Sequence, residues 1–294
     1  MVQSLAGDEQ QYPPIAKADI AVLLNLWNHF QESLRGEAKQ RLSQMARDAA
    51  MDKIALTMLH NRGVAEKLLA MMTLGHLRDK SALQALSDLL KDESPIISLA
   101  AARALMQIDA LVAVDVFMPL LAVRDDWPSA RVASLLKEAG ASIISAPLSN
   151  IIAVAPAEQL PRLIHFLELT YSGVSSRVVR ELLDKNNEPQ VIAACLLVMS
   201  DARDLDLVRK HLQHPDWPVR VQAAAALGRM GSDVDRKSLV SLLEDPQWWV
   251  RYRAAQSLSK LPFVTLSQLQ QLQDEQTDPY ARDMLKQIIA ERRT

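Results

Sequence analysis

Apolar residues recur along this chain at the three- and four-residue spacing of one helical face, and the faces come in pairs separated by short polar turns. Between Asp79 and Ile108 the pattern places Leu83, Leu86, Leu89 and Leu90 on one helix and Leu99, Ala101, Ala102 and Leu105 on a second, with a turn at Asp92-Glu93-Ser94-Pro95. The stretch from His214 to Leu227 returns 31 positions later as Asp245 to Leu258. A period of that length predicts stacked helical repeats, in which no unit buries its apolar face without a neighbour. Ala102 and Leu105 correspond to Ala224 and Leu227, with Ser98 where Arg220 stands. Continuing the register gives units over 79–108, 109–140, 141–170, 171–200, 201–231, 232–262 and 263–294, about seven helix pairs. In the unit at 141–170, Pro147, Pro156 and Pro161 are expected to shorten or kink the helices.

Ahead of this array the register is different. From Asp19 as N-cap, Ile20, Leu23, Leu24, Trp27 and Leu34 form one helix, which Arg35-Gly36 is expected to stop. A second carries Leu42, Met45, Ala46 and Ala49, and a third runs from Asp52 through Ile54, Met58 and Leu59 to a break at Asn61-Arg62-Gly63. These helices lack the repeated motif and read as a cap over the end of the array, with Trp27 packed inside it. Residues 1–14 are polar, end in Pro13-Pro14 and read as a flexible arm. The predicted organisation is therefore an arm at 1–14, a helical cap at 15–64 and a repeat array at 65–294.

Composition supports an all-α reading. Hydrophobic residues reach 49% while aromatics are only 4%, so Leu, Ala, Val, Ile and Met carry the apolar fraction. A net charge of -2 lacks the basic excess that coating nucleic acid requires, which argues against nucleic acid as the partner. The one cysteine, Cys195, lies in an apolar run and reads as a buried small residue. No run approaches the roughly 18 apolar residues of a membrane span, and residues 1–18 lack a signal-peptide pattern. The expectation is a soluble cytoplasmic protein, or the soluble part of a longer anchored one.

The motif itself is an Asp at the turn between paired helices, Val-Arg beginning five residues later, then Ala-Ala and Leu: Asp245, Val250, Arg251, Ala254, Ala255 and Leu258. In this the chain resembles the HEAT-repeat family, most closely over 201–262 and 79–108. The resemblance implies a right-handed α-α superhelix, with turn Asp and Arg residues forming a ladder between neighbouring units. The corresponding pairs elsewhere are Asp92 with Ser98, Asp125 with Arg131, Asp184 with Gln190, His214 with Arg220, and Gln276 with Arg282. Neutral partners interrupt the ladder at several of these. The Ala-Ala pairs at 101–102, 223–224 and 254–255, with the glycines after Leu74 and Leu227, mark expected close helix contacts.

Candidate chemistry concentrates in the C-terminal turns. Trp217 with Arg220, then Trp248 and Trp249 with Arg251, Tyr252 and Arg253, then Tyr280 with Arg282, form a row repeated at the period of the array. One reading has each Trp filling the tip of a helix pair and each Arg pairing with a turn carboxylate. The other makes the row a partner-binding edge, since Trp, Tyr and Arg are the usual interface anchors. Laid against the motif, Trp217, Trp248 and Arg251 are assigned mostly to architecture, whereas Trp249, Tyr252 and Arg253 exceed it. Trp127-Pro128 echoes Trp217-Pro218 and reads as one more helix start.

Other chemistry has little to stand on. His211-x-x-His214 lacks companions for a metal site, and no phosphate loop, nucleophile elbow or dinucleotide fingerprint occurs. No catalytic residue, metal or cofactor is assigned. The function expected is a non-enzymatic scaffold or adaptor whose second helices hold another protein. Two alternatives follow from relatives of this architecture: an accessory or lyase-like subunit acting on a cofactor-bearing protein, and a nucleic-acid-binding or alkylbase DNA glycosylase-like module. The glycosylase reading needs a carboxylate beside the tryptophans, and none follows Trp248-Trp249 before Ala254. Residues 35–80 lean basic and 88–126 acidic, so a partner steered by both would be bipolar.

Overall fold

The computed structural model describes residues 16–61 and 63–293, so the expected arm at 1–14 lies outside the described residues. All regular structure among the described residues is helical. The chain divides after Pro147 into two compact units. The N-terminal unit holds α1 (Ile20–Ser33), α2 (Gly36–Asp48), α3 (Met51–Met58), α4 (Val64–Leu77), α5 (Leu83–Leu89), α6 (Pro95–Ile108), α7 (Ala110–Val123) and α8 (Ser129–Ala139). The point of division falls within α9 (Ala141–Val154). The C-terminal unit continues with α10 (Leu160–His165), α11 (Ser172–Lys185), α12 (Pro189–Val198), α13 (Leu205–Lys210), α14 (Trp217–Met230), α15 (Arg236–Ser241), α16 (Trp248–Lys260), α17 (Leu266–Glu275) and α18 (Pro279–Arg293).

Helix boundaries follow local chemistry. Pro95, Pro161, Pro189 and Pro218 stand in first turns, where the missing N–H costs nothing. Asp79 and Asp201 accept from the backbone N–H two residues on and open short 3-10 turns ahead of α5 and α13. Thr265 and Gln268 cap α17 reciprocally. Two expectations change. α1 ends at Ser33 with Leu34 extended, and Gly36 opens α2 at a φ of 59°, so the glycine starts the next helix rather than stopping the first. α9 runs through Pro147 unbroken and is full length, so of the two helices over 141–170 only α10 is short, continued by a 3-10 turn at Phe166–Leu169.

Within each unit the helices pair in sequence, and the second helix of one pair packs on the second helix of the next: α4 on α6 and α6 on α8, then α12 on α14, α14 on α16 and α16 on α18. Small residues make this possible. Ala223, Ala224 and Leu227 of α14 and Ala254, Ala255 and Leu258 of α16 are all fully buried. A Cβ on Gly228 would lie 2.7 Å from Cβ and 2.9 Å from Cα of Ser257, so the backbones approach as closely as a glycine allows. Gly75 repeats the device in the N-terminal unit, where a Cβ would stand 3.1 Å from Ala104 Cα and against the Gln107 side-chain oxygen. Trp27 is fully buried and donates from Nε1 to the Leu42 carbonyl at 3.0 Å, tying α1 to α2.

A glycine in an open helix interior gains about 1 kcal/mol on change to alanine. At Gly228 the crowding against Ser257 reverses that sign, because overpacking costs about 1–3 kcal/mol. Urea denaturation of Gly228→Ala is expected to show a net loss of about 1–2 kcal/mol, and a stabilised variant would contradict the close contact.

Candidate functional site

The C-terminal turns are built around Arg220. Its Nε and Nη2 donate to the Asp245 carboxylate at 2.7 and 2.9 Å, and Nη1 donates to the carbonyls of His214 and Pro215 at 2.7 and 2.9 Å. Asp245 also accepts from the Gln247 N–H at 2.8 Å, so one carboxylate closes its own turn and holds the arginine of the preceding unit. Only the local half recurs one unit on. Arg251 Nη1 donates to the carbonyls of Asp245 and Pro246, and Arg282 Nη2 to that of Gln276 at 2.7 Å. With Gln276 where an acid would stand, the Arg251 guanidinium lies over the Tyr280 ring instead, 5.2 Å from its centroid.

The expected ladder between neighbouring units is present at Arg220 and Asp245, where the carboxylate bridges two repeats. What changes is the pairing within a turn: Arg220, Arg251 and Arg282 reach the residue six before them through its backbone carbonyl. Asp125 and Arg131 form no ion pair, and Arg124 binds Asp126 and the Asp92 carbonyl. A second set of rungs was not foreseen. Arg180 binds the buried Asp204 at 2.5 Å, and Arg209 binds the buried Asp235 at 2.7 and 3.0 Å. Both acids sit in 3-10 turns that precede first helices, and their spacing of one period was the available signal. Burial pushes the Asp235 carboxyl up, but Arg209 and the Ser232 N–H and hydroxyl outweigh it and hold it below the usual range.

The aromatic residues are not plugs. Trp217 and Trp248 remain 39% and 40% exposed, and Trp249 and Tyr280 reach 56% and 64%. The expectation that Trp217 and Trp248 fill the tips of helix pairs is thereby overturned. The plug is Trp127, 1% exposed, which donates to Ser98 Oγ at 2.9 Å, stacks on Phe117 and sits under Arg124. The difference is one of register. Trp127 precedes Pro128, the N-cap of α8, whereas Trp217 is itself the first residue of α14, and that offset turns one ring inward and the other outward.

Trp248 also belongs with the residues it was separated from. Its ring stacks in parallel on Tyr252 at 5.2 Å, and Trp249 stands edge-on to it at 4.6 Å. The structure thus joins Trp248, Trp249 and Tyr252 on α16 and pairs Arg251 with Tyr280. Arg253 is half-buried and donates to Gln256 at 2.8 Å. Trp217 has no ring contact with the others.

Elsewhere, His214 Nδ1 accepts from the Asp216 N–H at 3.1 Å, which commits it to its turn, and burial lowers the pKa of His211. Among the described residues no three metal-ligating side chains gather. Burial raises the Cys195 thiol to about 12, well away from a reactive thiolate. No helix among the described residues is long and apolar enough to cross a membrane.

Arg220 and Asp245 are both nearly buried, with side chains 12% and 6% exposed, so removing one partner strands the other. Arg220→Ala is expected to cost about 3 kcal/mol in urea, and a loss below about 1 kcal/mol would rank the pair with surface bridges. Asp235, with its lowered folded-state pKa, contributes stability that is present above the unfolded value of about 3.9 and lost as pH falls through the folded one. Asp235→Asn should therefore flatten the acid limb of the stability curve below about pH 4. An unchanged limb would remove Asp235 from the ladder.

A family model described as HEAT repeats matches residues 53–137, 176–259 and 205–290, more than half of the chain. The first match reaches back to take in α3, which packs against α4 as a helix pair. No curated protein matches the chain. Among solved structures, the crystal structure of an engineered protein from a structural genomics consortium is 15% identical. It covers 96% of this chain and 92% of its own at a TM-score of 0.36, too low to bear on the fold. Paired helices stacked through Ala-Ala contacts, cross-unit Arg–Asp rungs and the family match over both units lead to one conclusion: this chain belongs to the HEAT-repeat family, with an all-α superhelical repeat fold.

Proposed function

We propose that this HEAT-repeat chain is a non-enzymatic adaptor that binds another protein, and that the aromatic edge of its C-terminal unit makes the contact. The observation that carries the reading is the exposure of Trp217, Trp248, Trp249 and Tyr280 at the starts of three consecutive second helices. Large rings exposed to this degree, repeated on consecutive helices, are the kind of apolar surface that marks interaction sites. Arg220 and Arg251 are held by backbone carbonyls, and Arg251 lies over Tyr280, so the edge is fixed before a partner arrives. Pre-organised rings lose little freedom on binding. Tyr252 supports Trp248 from behind, and Arg253 and Arg282 supply charge beside the rings.

Crosslinking and mass spectrometry in the native cell test this. Trp249→Ala and Trp248→Ala are expected to lower the yield of the partner by about tenfold or more, as loss of an anchor of about 2 kcal/mol would. Both rings are exposed, so circular dichroism of the variants should match the parent. If both variants retain the same partners at the same yield, the edge is not the binding surface.

A further inference from the structure

The row of exposed rings has both a period and a hydrogen-bonding character, and together they select an occupant. Trp217 and Trp248 open α14 and α16, and Tyr280 stands second in α18, as Trp249 does in α16. Trp249 is edge-on to Trp248 at 4.6 Å, so the two registers join on α16. α14 packs directly on α16 and α16 on α18, which sets neighbouring helix axes about 8–10 Å apart. Rings therefore recur at about that interval, over about 16–20 Å from Trp217 to Tyr280.

The polar groups that the row leaves open are donors. Buried Trp27 and Trp127 each give their indole N–H to an acceptor within the protein. Those of Trp217, Trp248 and Trp249 make no hydrogen bond among the described residues, and neither do the hydroxyls of Tyr252 and Tyr280. Most acceptors of the adjoining turns are already engaged. Asp245 takes Arg220 and the Gln247 N–H, and Asp278 takes the N–H groups of Tyr280 and Ala281. Turn carbonyls take Arg220, Arg251 and Arg282. Asp216, at the Trp217 end, keeps an exposed carboxylate with only a 3.9 Å contact to His214. An occupant that suits this edge offers apolar groups at the ring interval and acceptors along its length, and it brings few N–H groups.

We infer that the edge binds a proline-rich segment of the partner protein in the polyproline II conformation, about seven residues long, with proline facing the rings at every third position. This rests on the edge being the partner-binding surface and adds what lies on it. Three residues of that conformation rise about 9 Å, which matches the interval between rings. Its carbonyls make no internal hydrogen bonds and are open to indole N–H and phenol groups. Each proline also lacks an N–H that docking would leave unpaired. An α-helix covers about 10 Å in seven residues, but its carbonyls are spent within the helix. A strand returns to the same face about every 6.7 Å, out of step with the rings.

The test uses the full chain and three labelled, end-blocked peptides of about nine residues, built from Gln and Ala. One carries prolines three apart, one carries the same number four apart, and one carries none. Fluorescence anisotropy is expected to show the first binding about tenfold tighter than either of the others. Trp248→Ala and Tyr280→Ala should each weaken it by about tenfold. Trp248→Phe keeps a ring and loses the N–H, and should weaken it by about fivefold. Ile96→Ala, in the N-terminal unit, should leave binding unchanged. The inference is overturned if prolines three apart bind no tighter than prolines four apart or none, or if Trp248→Phe binds as the parent does. It is overturned equally if Trp248→Ala and Tyr280→Ala bind undiminished. Loss of the cellular partner in Trp249→Ala, with no discrimination among the peptides, would sink this inference and leave the edge as the binding surface. Retention of the partner would remove the edge reading and this inference with it.

Discussion

The close approach of consecutive second helices is the constraint on which the rest of this structure depends. Where α14 meets α16, Ala223, Ala224, Ala254 and Ala255 are fully buried, and a side chain at Gly228 would collide with Ser257. Such contacts fix the spacing of the units, and the spacing fixes everything repeated at the period: which acid meets which arginine, and which ring stands next to which. Gly75 against Ala104 shows the same device in the N-terminal unit. Stability here is mostly a sum over neighbouring interfaces, so side chains pointing away from those interfaces are released from packing and free to specialise.

The turns show how that freedom is used. Arg220, Arg251 and Arg282 each bond their own turn through a backbone carbonyl, but of these only Arg220 also binds a carboxylate in the next repeat. Where Gln276 breaks the ladder, Arg251 takes the face of Tyr280 instead. A buried ion pair in one repeat is thus replaced by a cation–π contact in the next. The ladder and the aromatic edge are alternative uses of the same positions, which explains why the rings gather where the ladder ends.

The fold was legible in the sequence because its dominant interaction repeats. The Ala-Ala pairs, the turn acid and the 31-residue return are each a direct imprint of helix spacing. The site was legible only in part. Trp217, Trp248, Trp249, Tyr252 and Tyr280 were readable as a row, but whether a ring faces in or out depends on one or two positions relative to the helix start. Composition does not carry that register: Trp127-Pro128 and Trp217-Pro218 are the same dipeptide with opposite burial. The rungs at Asp204 and Asp235 went unread because they belong to 3-10 turns ahead of the first helices, outside the motif.

The central claim is that the rings left over from repeat packing are held in solvent for a partner. Hydroxyl-radical footprinting with mass spectrometry, comparing the chain alone with the chain recovered in its cellular complex, tests it residue by residue. Trp27 and Trp127 should resist oxidation in both states, while Trp248, Trp249 and Tyr280 should oxidise readily alone and be protected in the complex. Equal oxidation of Trp248, Trp249 and Tyr280 in the two states would contradict it.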